Sequence, residues 1–214
     1  FTGHPPATSP TFLFAKTRVI SSQTLSGRIS RDLWYHLVTN LKLKFVINKS
    51  VYGQLRNNNK VFKLTEEIVE EESFSPKFVY SHLVIPHHPY YFDKNGNPAP
   101  LDKLKEFSGA NKKDYVEYLQ YANSKLLNLV DHIKKKSAQP PIIILMGDHG
   151  FRQFNDSVSK KYHFMNLSSF SIPNGDYTRF YDSSSSVNQI RTFLNTQFNQ
   201  QLPLLKDSTV FIQQ

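Results

Sequence analysis

The chain has 214 residues, 39% hydrophobic and 14% aromatic, enough for one ordinary domain with a substantial core and too apolar for a disordered polymer. It contains no cysteine, which excludes disulfides, thiol catalysis and thiolate metal sites and leaves oxygen and imidazole as the ligands any metal would find. The formal charge of +9 suits an anionic membrane surface or a phosphorylated substrate; nucleic acid is not expected, because Lys and Arg are scattered and no nucleic-acid motif is visible.

Residues 1–11 hold three prolines and read as coil, and Phe1-Thr2-Gly3-His4-Pro5-Pro6 has neither initiation nor export character, so the chain reads as part of a longer protein. No apolar run approaches the roughly 20 residues that span a bilayer. Ser30 as N-cap and apolar residues at 33, 34, 37, 38 and 41 predict a helix over about 31–41. Asn57-Asn58-Asn59 reads as a loop. Val61–Glu72 reads as a second helix with Leu64, Ile68 and Val69 on one face and its glutamates in solvent.

Pro76 introduces Lys77–Ile85, a β-rich run of strand length that ends at Pro86. His87–Pro98 reads as an aromatic loop closed by an Asn95-Gly96 turn. The strongest helical pattern runs from Lys112 to Lys136. Tyr115, Tyr118, Leu119, Ala122, Leu126, Leu129, Val130 and Ile133 line one side, and Lys134-Lys135-Lys136 meet its C-terminal dipole. Residues 141–146 form a short, wholly apolar run without alternation, the pattern of a strand covered on both faces in a parallel sheet.

Strand, helix and strand predict a βαβ unit with parallel strands. Its geometry places His87-His88 and Asp148-His149 on one sheet edge, where open α/β sheets carry their chemistry. After Gly150 the chain is polar to about Lys161, Tyr162–Ile172 is aliphatic and aromatic, Asn174-Gly175-Asp176 reads as a turn, and Ser186–Leu194 as a last amphipathic helix. With no repeat and no internal boundary, residues 1–214 read as a single domain.

Asp148 offers a carboxylate oxygen and His149 an imidazole nitrogen, a mixed pair that suits Zn²⁺ or Mn²⁺ better than an all-oxygen Ca²⁺ cage. Two ligands do not complete a site. An Asp that merely caps and a His that merely hydrogen-bonds are the bland alternative; the preceding strand and the flanking Gly147 and Gly150, with room for a sharp turn and a close phosphate, outweigh it. His87 and His88 at a strand end are candidates to bind phosphate oxygens or protonate a leaving group, against a reading as incidental loop histidines. His82 is either a core histidine or faces the site. His4, His36, His132 and His163 read as structural or surface residues. Asn48-Lys49-Ser50, Asn155-Asp156-Ser157 and Asn166-Leu167-Ser168 match the glycosylation triplet, a pattern too frequent to weigh.

Phe78–Tyr90, the Asp93-Lys94-Asn95-Gly96-Asn97 turn, the helix carrying Tyr118–Asn123, and Ile143–Gly150 together resemble the sulfatase-like branch of the alkaline phosphatase superfamily. They look most like bacterial membrane-anchored sulfatase-like proteins related to phosphoethanolamine and phosphoglycerol transferases. Ile172–Tyr177, Ser186-Val187-Asn188 and Leu202–Leu205 look like the closing region of such domains, and the resemblance covers about residues 76–207.

The resemblance implies an α/β fold, the three-layer αβα sandwich of alkaline phosphatase-like type, here incomplete. It implies a divalent metal that activates a threonine, serine or formylglycine nucleophile against phosphorus or sulfur, with an anionic phospho- or sulfo-ester as substrate. Asp148 and His149 match the paired metal ligands; His149, where true sulfatases carry Asn, tilts the expectation toward phosphoryl chemistry. The metal is expected to be Zn²⁺ or Mn²⁺, with Ca²⁺ or Mg²⁺ as alternatives. His82 and His88 match substrate-facing histidines, with His87 beside them as a further substrate-binding candidate. No acidic strand end followed by a nucleophile stands in residues 1–75, so no catalytic nucleophile is assigned and the chain is expected to be the C-terminal portion of such a domain, inactive alone and partnered by the missing N-terminal part. The periplasmic or extracytoplasmic face of a membrane is implied as its location. The competing expectation is a non-catalytic module that holds anionic glycan or lipid headgroups.

Overall fold

The computed structural model describes residues 51–105, 111–152 and 158–210, together with Leu25; the coil expected over 1–11 and the helix expected over 31–41 lie outside them. The chain is mixed helix and strand and divides into two compact units, Phe1–Lys136 and Ser137–Gln214.

In the first unit α1 spans Gly53–Glu70, α2 Leu101–Lys105 and α3 Lys112–Lys136. The expected loop at Asn57–Asn59 is instead mid-helix: the modest propensity cost of asparagine is overridden because Asn58 is buried in α1 beside Phe62 and Thr65, at helical spacing. Leu64, Ile68 and Val69 only flank that buried face.

α1 ends at Glu71, and the Lys77 ammonium then donates to the carbonyls of Ile68 and Glu71, closing the helix with a cation at its negative end. Beyond it the chain runs back along α1. Ser81 Oγ meets Thr65 Oγ1 at 2.6 Å, the Asn58 amide holds Val84, and Tyr91 donates its hydroxyl to the Val51 carbonyl at 2.7 Å.

This return path corrects the expected strand. Residues 77–85 are extended but form no ladder among the described residues, because the groups facing them from α1 are side chains rather than a neighbouring backbone. One side is covered by the helix, whereas Phe78 is 93% and Tyr80 80% exposed.

α3 is built as expected. Asn111 accepts from the Asp114 N–H at 2.8 Å and donates to the Asp114 carboxylate at 2.6 Å, a reciprocal cap, and Tyr118, Ala122 and Leu129 are buried along its length. Lys134–Lys136 occupy its last turn. The unit's core is aromatic: Tyr90, Tyr91 and Tyr118 are buried with Leu104, their rings tilted or edge-on at about 6 Å. The loop after Tyr91 closes as expected, with Gly96 at φ +84° and the Asp93 carboxylate accepting from the Asn95 and Asn97 N–H groups. At the other end His132 Nε2 and Lys136 Nζ, both on α3, reach Glu70 of α1 at 3.3 and 3.6 Å.

In the second unit β1 spans Ile143–Met146, β2 Ser168–Ser171 and α4 Ser186–Gln197. β1 pairs antiparallel with β2, Ile143 opposite Ser171 and Met146 opposite Ser168, and among the described residues no parallel βαβ arrangement is formed. Among the described residues the sheet has two strands, and β1 is not uniformly covered: Ile143 is buried and Met146 exposed. α4 begins at Ser185, which caps the Asn188 N–H, and packs on β2 through Phe193 against Phe170 and through Gln189, which accepts from Ser168 Oγ at 2.6 Å. Asn174-Gly175-Asp176 turns as expected, with Gly175 at φ +65°. Among the described residues no helix is long and apolar enough to cross a membrane.

Candidate functional site

β1 stops at Met146 and delivers Gly147-Asp148-His149-Gly150 as a short exposed loop laid on residues 162–167. The support is main chain: Gly147 N–H donates to Leu167 O at 2.9 Å, and Gly150 N–H to His163 O at 2.8 Å. Asn166 adds its side chain, with Nδ2 donating to Gly147 O at 2.5 Å and reaching Ser186 Oγ at 3.4 Å. The peptide before Asp148 is therefore held from one side by β2's lead-in and tied to the first turn of α4.

The two glycines are required by this packing. A Cβ on Gly150 would collide with the carbonyls of Tyr162 and Met165, and one on Gly147 would press the Leu167 nitrogen at 3.4 Å.

Within the loop, His149 Nδ1 lies 2.6 Å from the Gly150 carbonyl. A carbonyl only accepts, so Nδ1 carries a proton, and in the neutral tautomer that this bond selects the lone pair is on Nε2. That Nε2 faces Asp148 Oδ1 at 3.8 Å. The Asp148 side chain is 88% exposed, so the contact itself contributes little to stability. Its chemical content is a nitrogen lone pair and a carboxylate oxygen, side by side at a strand end, with the imidazole tautomer fixed by a backbone acceptor as metal-bound histidines commonly are. The donor set suits a divalent ion of borderline softness, but among the described residues no third His, Asp or Glu joins it.

His82, His87 and His88 belong to the first unit, and the βαβ geometry that was to bring them to the edge of Asp148 and His149 is not formed. His82 is exposed on the same side of the extended segment as Phe78 and Tyr80, not in a core. His87 is exposed and donates from Nδ1 to the His88 carbonyl at 2.5 Å, which leaves Nε2 uncommitted to that bond. His88 is half-buried, its ring edge-on to Tyr90 at 5.2 Å; burial first and the neighbouring His87 second push its pKa down, so it is neutral at neutral pH. Among the other histidines, His132 is an interhelical partner of Glu70, in keeping with the structural role expected for it.

Asn166 is the residue that motif reading passed over. Its triplet registered only as a glycosylation pattern, while its amide in fact holds the candidate ligand loop. No protein-family model, curated protein or solved structure matches the chain.

Proposed function

We propose that this chain is the carboxyl-terminal portion of a metal-dependent phospho- or sulfo-ester hydrolase or transferase of the sulfatase-like branch of the alkaline phosphatase superfamily, a three-layer αβα sandwich working at the extracytoplasmic face of a membrane. The observation that carries this reading is the Asp148–His149 pair at the carboxyl end of β1, its imidazole tautomer fixed by Gly150 and its Nε2 turned to the carboxylate.

Asp148 and His149 would hold the divalent ion, Zn²⁺ or Mn²⁺ ahead of Ca²⁺ or Mg²⁺. The ion would supply Lewis acidity toward an ester oxygen and charge against the developing oxyanion. The chain's own part is to fix the geometry: Gly150 O sets the imidazole tautomer, and Asn166 sets the peptide ahead of Asp148. Within the first unit, His82, His87 and His88 are proposed as binders of an anionic group, with His87 offering Nε2 because its Nδ1 is committed to a carbonyl. The nucleophile and remaining metal ligands would come from a preceding part of the same domain, so the chain alone is proposed to turn over nothing. The exposed Phe78 and Tyr80 of residues 77–85 support a sheet that the described residues do not complete.

Calorimetric titration of Zn²⁺ or Mn²⁺ tests the pair. Weak binding that disappears in both Asp148→Asn and His149→Ala is expected; equal binding in all three proteins refutes the ligand assignment. Robust, His149-dependent hydrolysis of generic phosphodiesters or sulfate esters by the chain alone would refute the division of the site.

A second reading, a non-catalytic module holding anionic glycans or lipid headgroups, is favoured by a shallow concavity lined by Lys94, Lys112, Lys113, Val116, Glu117 and Gln120. It requires that Lys94→Glu with Lys112→Glu weaken binding of a sulfated glycan, while Asp148→Asn leaves that binding unchanged.

A further inference from the structure

We infer that residues 160–167 form an interfacial docking loop that seats the second unit on an anionic phospholipid surface. The sequence there is Lys-Lys-Tyr-His-Phe-Met-Asn-Leu. A short 3-10 turn, Lys160–His163, capped by Ser159, turns large apolar side chains outward instead of into the core: Met165 is 62% exposed, Leu167 50% and Tyr162 41%, with Phe164 and the nearby Met146 exposed as well. In the same segment the Leu167 and His163 carbonyls accept the N–H groups of Gly147 and Gly150. The segment that carries the exposed apolar residues is thus hydrogen-bonded to the Asp148–His149 loop.

Charge selects the occupant. From 158 to 175 the sequence has no Asp or Glu, Asp148 in the neighbouring loop being a nearby exposed acid; Lys161 Nζ lies 5.2 Å over the Tyr162 ring, and the exposed Arg152 follows two residues after Gly150, whose N–H is bonded to His163 O. A lysine whose ammonium lies over an aromatic ring, a tyrosine and exposed Met and Leu side chains are the residue classes that a membrane interface takes. A second copy meeting face to face would set Lys161 against Lys161. A handful of side chains on one short loop also falls well below the roughly 800 Å² per partner of a stable protein interface.

Co-sedimentation with vesicles tests the inference, using phosphatidylcholine alone and phosphatidylcholine mixed equally with phosphatidylglycerol. Binding to the mixed vesicles is expected, weakened about tenfold or more by Met165→Ser with Leu167→Ser, and to a similar degree by Arg152→Glu with Lys161→Glu. These positions are exposed, and circular dichroism checks that each variant keeps its fold. No binding to the mixed vesicles, or equal binding by the variants, overturns the inference. So does a self-association, seen by sedimentation velocity, that Met165→Ser with Leu167→Ser abolishes. The inference rests on the proposed function only in calling the neighbouring loop a site: His149→Ala is expected to lose metal binding and keep vesicle binding, so the two readings fail separately.

Discussion

Asn58 pairs with Val84 as one backbone pairs with another: its Nδ2 donates to Val84 O at 2.9 Å and its Oδ1 accepts from Val84 N–H at 2.8 Å. The side-chain amide is thereby a one-residue substitute for a neighbouring strand, and Asn58 is 2% exposed, so its amide has no water to fall back on. Asn58→Ala is expected to cost about 3 kcal/mol, the loss of two buried hydrogen bonds and the stranding of both Val84 groups. Urea unfolding measures it. Asn58→Asp keeps the acceptor but sets a carboxylate against the Val84 carbonyl, and should be comparably damaging at neutral pH and milder in acid. A loss under about 0.5 kcal/mol in Asn58→Ala would mean that residues 77–85 are held otherwise.

What could be read from sequence follows from how local its cause is. α3 and α4 were legible because an apolar stripe at helical spacing needs only one buried side, and Gly96 and Gly175 because their turns need positive φ. Residues 77–85 were legible as extended chain but not as unpaired chain, since a ladder depends on a partner far away in sequence. Ser168–Ser171 gave no strand signal, with one apolar residue in four, and is a strand because β1 lies beside it. At the candidate site the strand-end position of Asp148 and His149 was visible. The reason for Gly150 was not, because the carbonyls it must clear come from residues 162 and 165.

The same amide device recurs twice on α4. Asn188, wholly buried, donates to Leu205 O at 2.7 Å and accepts from Leu205 N–H at 2.9 Å; Asn195, two turns on, does so with Leu202 at 2.9 and 2.8 Å. Asp207 locks the segment's end, accepting from Tyr181 Oη, Ser185 N–H and Asn188 Nδ2. Asn188→Ala should therefore release residues 202–207 as a unit, and Asn195→Ala only their beginning. Amide hydrogen exchange reports the difference: protection of Leu205 is expected to fall at least about tenfold in the first variant, and in the second to fall at Leu202 more than at Leu205. Unchanged exchange at Leu205 in Asn188→Ala would show that the clamp holds nothing.

His88 sets a pH dependence in the first unit. Burial, with His87 as a second cause, holds its pKa below the ordinary 6.5. The unfolded chain therefore takes up its proton first as pH falls, and stability is complete above about pH 6.5, declines below it toward the depressed folded value, and levels off there. Urea midpoints at about pH 7.5 and 5.5 should differ for the native chain and differ less for His88→Gln. An equal pH response in both would assign the dependence to another group.

Asn166 is where positioning of the candidate ligands can be separated from simple stability. Its Nδ2 is the donor to Gly147 O, the carbonyl of the peptide that precedes Asp148. Asn166→Asp has nearly the same shape and lacks that donor, so it should cost about 1–2 kcal/mol of stability and also loosen the loop. Loosening has its own signature: His149 keeps one tautomer only while Nδ1 stays on the Gly150 carbonyl, a bond that does not involve Asn166 directly. Nitrogen NMR of the imidazole is therefore expected to show a single neutral tautomer, protonated at Nδ1, in the native chain and a mixture in Asn166→Asp. Zn²⁺ affinity should fall in parallel, by about tenfold, as losses of groups that orient ligands typically do. Were the tautomer and the Zn²⁺ affinity to stay put while stability dropped, Asn166 would be a structural tie alone, and the order of the Asp148–His149 pair would have to come from the main-chain bonds of Gly147 and Gly150.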